Sequence, residues 1–261
     1  MRFCILGSGS GGNACYFETE NARLLIDAGF SAREIVRRLD WLGIPAESLN
    51  GIVITHEHRD HIRGAGPLSR RFHLPLYLNR RTHEKGGKLL GAVARTVIIE
   101  TGRTLIVEDL NVETFTKCHD AADPLGLVVS NNGVRVGFVT DLGRSTKLVE
   151  DRLKGCQALI MEFNYDPQML ENGPYPLELK RRIHGPDGHF SNADAGNLVR
   201  TVSGPGTRFV VLAHLSETNN HPKKALEEAQ RVLEDCGLNQ ATALLCRQEL
   251  PGPMLELMAV E

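Results

Sequence analysis

His56, His58, Asp60 and His61 place four metal-capable side chains within six residues, His-Glu-His-Arg-Asp-His, directly after the apolar run Gly51-Ile52-Val53-Ile54-Thr55. Neutral imidazole and carboxylate suit zinc, manganese or iron. In a turn leaving a strand, His56 and His58 project to one side while Asp60 and His61 lie further along, so the spacing supports two coordination centres. A helix over the same residues would bring only His56 and Asp60, an i,i+4 pair, to one face. The competing reading is a solvated polar loop that happens to contain histidines.

Three further apolar segments end on residues of the same chemistry. Leu110 to Lys117 alternates like a strand and leads to Cys118-His119-Asp120; Val134 to Thr140 ends at Asp141; Arg208 to Ala213 ends at His214. Any one of these could be an ordinary polar group at a strand terminus, but function in α/β sheets gathers at such ends. The expected division puts His56, His58 and His119 on one ion, Asp60, His61 and His214 on a second, and Asp141 between them. Two divalent ions, two aspartates and a bridging hydroxide leave a formal charge of about +1, which attracts an anion such as a phosphodiester. Asp27 is expected beneath the histidines as a support for their orientation. Cys118 is expected to point away from His119 as a core thiol.

The elements that must carry these residues are legible in outline. Gly7, Gly9 and Gly12 formally match a dinucleotide-binding loop, but no helix follows. The chain instead reads as two strands around Glu20-Asn21-Ala22-Arg23, with Ser8, Ser10 and Asn13 as candidate contacts for substrate near the metals. Ser31-Ala32-Arg33-Glu34 predicts a capping box and a helix bearing Ile35, Val36, Leu39 and Leu42 on one side. Helices are also predicted after Ser191-Asn192 and from Pro222, with strands between them, which gives an α/β layered domain over residues 1–261. Glu171-Asn172-Gly173-Pro174 and Gly204-Pro205-Gly206 read as loop tips.

With 261 residues and a formal charge of −2, the chain has a full-sized core and no global basic field. A nucleic acid would have to be held by local cations and by the metals. The six cysteines form no C-x-x-C pair, and no apolar run approaches membrane-spanning length, so a reduced, cytoplasmic setting without membrane contact is expected. His73, His83, His184 and His221 lack both the strand-end setting and the spacing and read mostly as surface or loop residues, with His184 the exception because of the basic stretch before it. Lys180-Arg181-Arg182, just ahead of His184 and His189, could track a nucleic-acid backbone or be a solvated helix face.

Taken with His119, Asp141 and His214, the motif His-x-His-x-Asp-His resembles the metallo-β-lactamase fold in its binuclear hydrolase form. The segments Ile5-Leu6-Gly7-Ser8-Gly9-Ser10, Cys118 to Pro124, Gly188-His189-Phe190-Ser191-Asn192 and Ala213-His214-Leu215-Ser216 resemble its YycJ/WalJ branch. The resemblance implies a four-layer αβ/βα sandwich, two divalent ions (zinc or manganese), and a phosphodiesterase acting on DNA as a 5′-to-3′ exonuclease. A further similarity to ribonuclease Z implies that Glu162, at the end of Ala158-Leu159-Ile160-Met161, pairs with His189. Asp60, Glu162 and His189 are then the catalytic candidates, with His189 as proton donor or phosphate clamp, and Lys180, Arg181, Arg182 and Asn13 the substrate-binding ones. The same site would also suit a small cyclic phosphodiester or a thioester, and a degenerate member could serve as a non-catalytic signalling module. An oxygen-reducing di-iron protein is disfavoured, because such proteins usually carry a carboxylate where this chain has His58.

Overall fold

A computed structural model describes residues 1–259. One sheet holds β1 (Arg2–Gly7), β2 (Ala14–Glu18), β3 (Arg23–Ile26), β4 (Gly51–Val53), β5 (Pro75–Leu78) and β6 (Arg95–Ile98) in that order. The second holds β7 (Thr104–Val107), β8 (Leu110–Thr116), β9 (Leu125–Asn131), β10 (Val134–Val139), β11 (Ala158–Glu162), β12 (Phe209–Ala213) and β13 (Thr242–Leu245), and β14 (Leu255–Glu256) returns to the free edge of β1. Each sheet is antiparallel in one half and parallel in the other: β3 to β6 run together, as do β10 to β13. The parallel strands β11 and β12 are covered on both faces, which is why they read as unbroken apolar runs, whereas β8 alternates.

Three apolar cores define the layers. Phe3, Phe17, Leu24, Leu127, Val136 and Ile160 pack between the two sheets. Outside the first sheet lie α1 (Ala32–Trp41), α2 (Arg59–Ile62), α3 (Ala65–Phe72) and α4 (Arg80–Leu90), joined to it through Leu25, Ile35, Leu39, Ile52 and Leu68. Outside the second lie α5 (Lys147–Leu153), α6 (Pro167–Asn172), α7 (Leu177–His184), α8 (Asn192–Val202) and α9 (Pro222–Asp235), with Val149, Val199, Val210 and Ala229 in the shared core. The result is the expected αβ/βα sandwich. No helix among the described residues is long and apolar enough to cross a membrane.

Local expectations differ in places. The Gly7 to Asn13 loop joins β1 to β2 and opens no helix. Ser31 Oγ accepts from Glu34 N at 3.2 Å, but the Glu34 carboxylate goes to Arg37 and Arg38, so only half a capping box forms there. The complete reciprocal box is at Ser191 and Asp194, opening α8. Glu171 and Asn172 belong to the end of α6 and are not a loop tip. Cys118 is not a core thiol: it is partly exposed, and its Sγ accepts from Arg144 Nε at 3.2 Å. The reason is that β8 ends at Thr116, so the pleat no longer sets side-chain direction, and Lys117 turns inward instead.

Candidate metal centre

The strand ends converge. Thr55-His56 follows β4, Lys117-Cys118-His119 follows β8, Asp141 follows β10, Glu162 closes β11 and His214 follows β12. Asp27, Asp141 and His214 each adopt a left-handed backbone, with φ of 58°, 55° and 54°. Such a conformation costs a non-glycine residue about 1–3 kcal/mol and turns each chain sharply off its strand toward a common point. Gly29 lets the incoming α2 loop close over the same point, because a Cβ there would overlap the carbonyl oxygen of Asp60.

Two clusters result. In the first, His58 Nδ1 lies 3.1 Å from His56 Nε2 and 3.2 Å from His119 Nε2. Three nitrogens ligating one tetrahedral zinc at the usual bond length sit about 3.3 Å apart. In the second, His61 Nε2 lies 3.2 Å from Asp141 Oδ2 and 3.4 Å from Asp60 Oδ2, and His214 Nε2 lies 3.6 Å from Asp60 Oδ2. Asp141 stands between the two, its Oδ1 3.8 Å from His119 Nε2 and 3.4 Å from His214 Nδ1. Asp141 Oδ2 and His214 Nε2 are buried without a hydrogen-bond partner, which suits atoms that a cation would engage, His214 on losing its proton. The donor set therefore fits divalent metal, with His56, His58 and His119 able to hold one ion and Asp60, His61, Asp141 and His214 another.

The supporting layer fixes which nitrogen each imidazole presents. His61 Nδ1 donates to Asp27 at 2.7 Å, His119 Nδ1 to the Gly188 carbonyl at 3.1 Å, and His214 Nδ1 to Glu162 at 2.7 Å. Thr55 Oγ1 donates to Asp27 and so accepts from His56 Nδ1 at 3.0 Å. In each case Nε2 is left facing the cluster. Asp27 lies beneath the histidines as expected. Glu162, fully buried, also accepts from His189 Nδ1 at 2.9 Å and from the backbone amides of Asp141, Leu142 and Phe190. Burial opposes its charge, but His189 and His214 hold its pKa down at about 2.

The two clusters differ in electrostatics. Burial drives His56 well below the ordinary imidazole range, with His61 adding repulsion. Burial likewise lowers His119, to about 4, against the pull of Asp141. Burial acts the same way on His61 and His214, but carboxylates win there: Asp141, Asp27 and Asp60 raise His61 well above its usual value, and Asp141, Asp60 and Glu162 raise His214 to about 10.

A family model described as a beta-lactamase superfamily domain matches residues 22–215. The chain belongs to that superfamily. Within this superfamily it is 35% identical over 245 residues to the exodeoxyribonuclease YycJ of Bacillus anthracis, covering 93% of each chain. It is also 35% identical to the exodeoxyribonuclease WalJ of Streptococcus pneumoniae, covering 84% of this chain and 83% of that one. The fold matches the crystal structure of the metallo-β-lactamase fold protein YhfI from Bacillus subtilis with a TM-score of 0.74 at 17% identity, over 96% and 98% of the two chains. The superfamily member described here is a metal-dependent hydrolase.

Other expected site residues are placed differently from one another. Asn13 is buried and its amide donates to Asp60 Oδ2 at 3.1 Å and to the Gly9 carbonyl, so it holds a cluster residue and does not face open space. Lys180, Arg181 and Arg182 lie on α7, none of whose residues is buried. Arg182 is engaged by Asp120 at 2.6 Å, and Lys180 Nζ donates to the Glu171 carbonyl. His184 is not an idle surface residue, since its Nδ1 meets Tyr165 OH at 2.9 Å. His73 and His221 cap helices at the surface, and His83 is a half-buried residue of α4. Sequence reading missed Thr55, the Gly188 carbonyl and buried Lys117, whose ammonium donates to the Thr140 carbonyl and is pulled below its usual pKa by burial. No sequence signal marks them, because each acts through a contact made only in the folded chain.

Proposed function

We propose that this chain is a binuclear phosphodiesterase that degrades DNA as an exonuclease from the 5′ end. Two divalent ions, zinc or manganese, would be held by His56, His58 and His119 and by Asp60, His61 and His214, with Asp141 shared. The observation that carries the reading is His189. Its ring centre lies 5.2 Å from those of both His119 and His214, its Nδ1 is tied to buried Glu162, and its side chain is 21% exposed, so Nε2 faces the open side of the centre. An imidazole so held suits the role of proton donor to a leaving oxygen or of clamp on phosphate, and either service lowers the barrier to phosphodiester hydrolysis. When bound, the ions supply Lewis acidity at the phosphoryl oxygens and make water a stronger nucleophile at neutral pH.

Asp60, 24% exposed and held by Asn13, would accept a hydrogen bond from the attacking water. Glu162 keeps His189 and His214 in one tautomer while its own charge is neutralised by their donors. Lys180 and Arg181 on α7 suit a phosphate backbone approaching His189, and Arg182 steadies that helix against Asp120. DNA as substrate draws support from the names of the relatives that share 35% identity. The reading takes residues 1–261 as one domain working in the cytoplasm.

The test uses single- and double-stranded DNA and RNA, labelled at either end, with zinc- or manganese-loaded protein. Release of labelled product from the 5′ end of DNA, lost in His119→Ala, is expected. Intact DNA, RNA and activated phosphodiester, beside hydrolysis of a thioester, would overturn the reading.

A further inference from the structure

A cavity of about 340 Å³ opens beside His189, between the loop after β10 and the outer face of α8. Its size lies at the lower end of the range for small-molecule sites. Asp194, Asn197 and Thr201 recur at the spacing of one helix face and form the exposed side of α8, while Leu198 beside them belongs with Ala195, Val199 and Val202 to the core. Opposite stand Arg144, Ser145 and Glu150, and the hydrogen-bonded pair of Tyr165 and His184 forms the far wall.

We infer that this cavity is the subsite for the nucleoside whose oxygen leaves when the phosphodiester is cleaved. The inference rests on the phosphodiesterase reading, because its orientation follows from His189: the residue placed to protonate the leaving oxygen is also a wall of the cavity. The group bonded to that oxygen must enter here.

The chemistry of the lining selects a nucleoside over a second phosphate. Among the described residues Arg144 is the one permanent cation lining it, against the carboxylates of Glu150 and Asp194, so an anion gains nothing by entering. Both carboxylates are already acceptors, Glu150 for Ser145 at 3.3 Å and Asp194 for Ser191 at 2.6 Å. Asn197 and Thr201 offer an amide and a hydroxyl of the kind that meets base edges. The Asn197 oxygen accepts from Arg200 at 3.1 Å, which leaves its amide N–H groups for a ligand, and Thr201 donates to the Asn197 carbonyl, which leaves its oxygen as an acceptor. Leu198 and Phe190, nearly buried in the core, form the apolar floor of the cavity, against which one edge of a heterocycle can rest.

Binding to the metal-loaded protein by calorimetry provides the test, with thymidine 3′-monophosphate, thymidine 5′-monophosphate and inorganic phosphate as probes. At least one of the two nucleotides should bind tenfold or more tightly than phosphate. Asn197→Trp, a change on an exposed helix position that fills the cavity, should erase that gain while phosphate affinity stays within twofold, and Asn197→Leu should reduce it in a chain whose melting temperature is unchanged. No gain over phosphate, or a gain that survives Asn197→Trp, overturns the subsite. Tight nucleotide binding that Asn197→Trp abolishes, in a protein that cleaves no nucleic acid, supports the nucleoside site and sinks the nuclease reading.

Discussion

The buried imidazoles of the two clusters are set to opposite electrostatic ends. His56, His58 and His119 meet with carboxylates only at the margin, Asp120 and Asp141 lying 3.4 and 3.8 Å from His119 Nε2, and there burial outweighs them and keeps His56 and His119 neutral. His61 and His214, equally buried, face Asp27, Asp60, Asp141 and Glu162 and hold protons strongly. The first cluster is ready to accept a cation, whereas the second must exchange protons for one. Burial alone therefore does not decide the state of a buried imidazole; the neighbouring carboxylates do.

The sharpest separation comes from His189, which shares Glu162 with His214 but belongs to neither the triad nor the mixed set. His189→Ala should lower kcat on DNA by about 10²–10⁴-fold, the usual worth of a general acid, with metal content unchanged by elemental analysis. A parallel loss of metal would move His189 into the mixed cluster.

The proton exchange itself gives the next effect. Loading the mixed cluster should release about two protons, from His61 and His214, so its apparent affinity should climb about a hundredfold per pH unit near neutrality. In the triad, His56 and His119 are already neutral over the same range and should release no protons on loading. Calorimetric titrations in buffers of different ionisation heat would read both, and equal slopes would erase the contrast.

Smaller effects follow from the supporting layer. Thr55→Val frees His56 Nδ1 and should weaken the triad alone by about 10–100-fold, while Asp27→Asn, which loosens both His61 and Thr55, should weaken both sites. Competition with a fluorescent chelator would measure each.

The last effect is on stability after metal is stripped with chelator. His119, lowered to about 4, refuses a proton that the unfolded chain accepts near 6.5, so its contribution to stability falls as pH drops from about 6.5 toward 4. His214, raised to about 10, keeps a proton that the unfolded chain releases, so its contribution is complete below about 6.5 and fades as pH rises through 10. Urea midpoints should peak near pH 6.5, and a midpoint that rises steadily with pH would show that the carboxylates do not hold His214 protonated.

Much of this was legible beforehand. The run from His56 to His61 and the strand-end positions of His119, Asp141 and His214 were visible because apolar runs and metal-capable residues are both sequence-local signals. Cys118 was misplaced because alternation was carried past the end of β8, where Lys117 finds the Thr140 carbonyl and breaks the pattern. Asn13 and Arg182 were read as facing substrate, whereas folding gives them Asp60 and Asp120 as partners, and partner choice is invisible along the chain.

By itself the sequence determined the residue types at the centre, the strands that carry them and the layered class, since each depends on periodicity and spacing within a dozen residues. The tertiary structure alone decided which nitrogen each histidine presents, which imidazoles are charged, and that an outer face of α8 borders His189. Those properties depend on groups from distant segments meeting at hydrogen-bond range, and on the left-handed turns at Asp27, Asp141 and His214 that residue type does not announce.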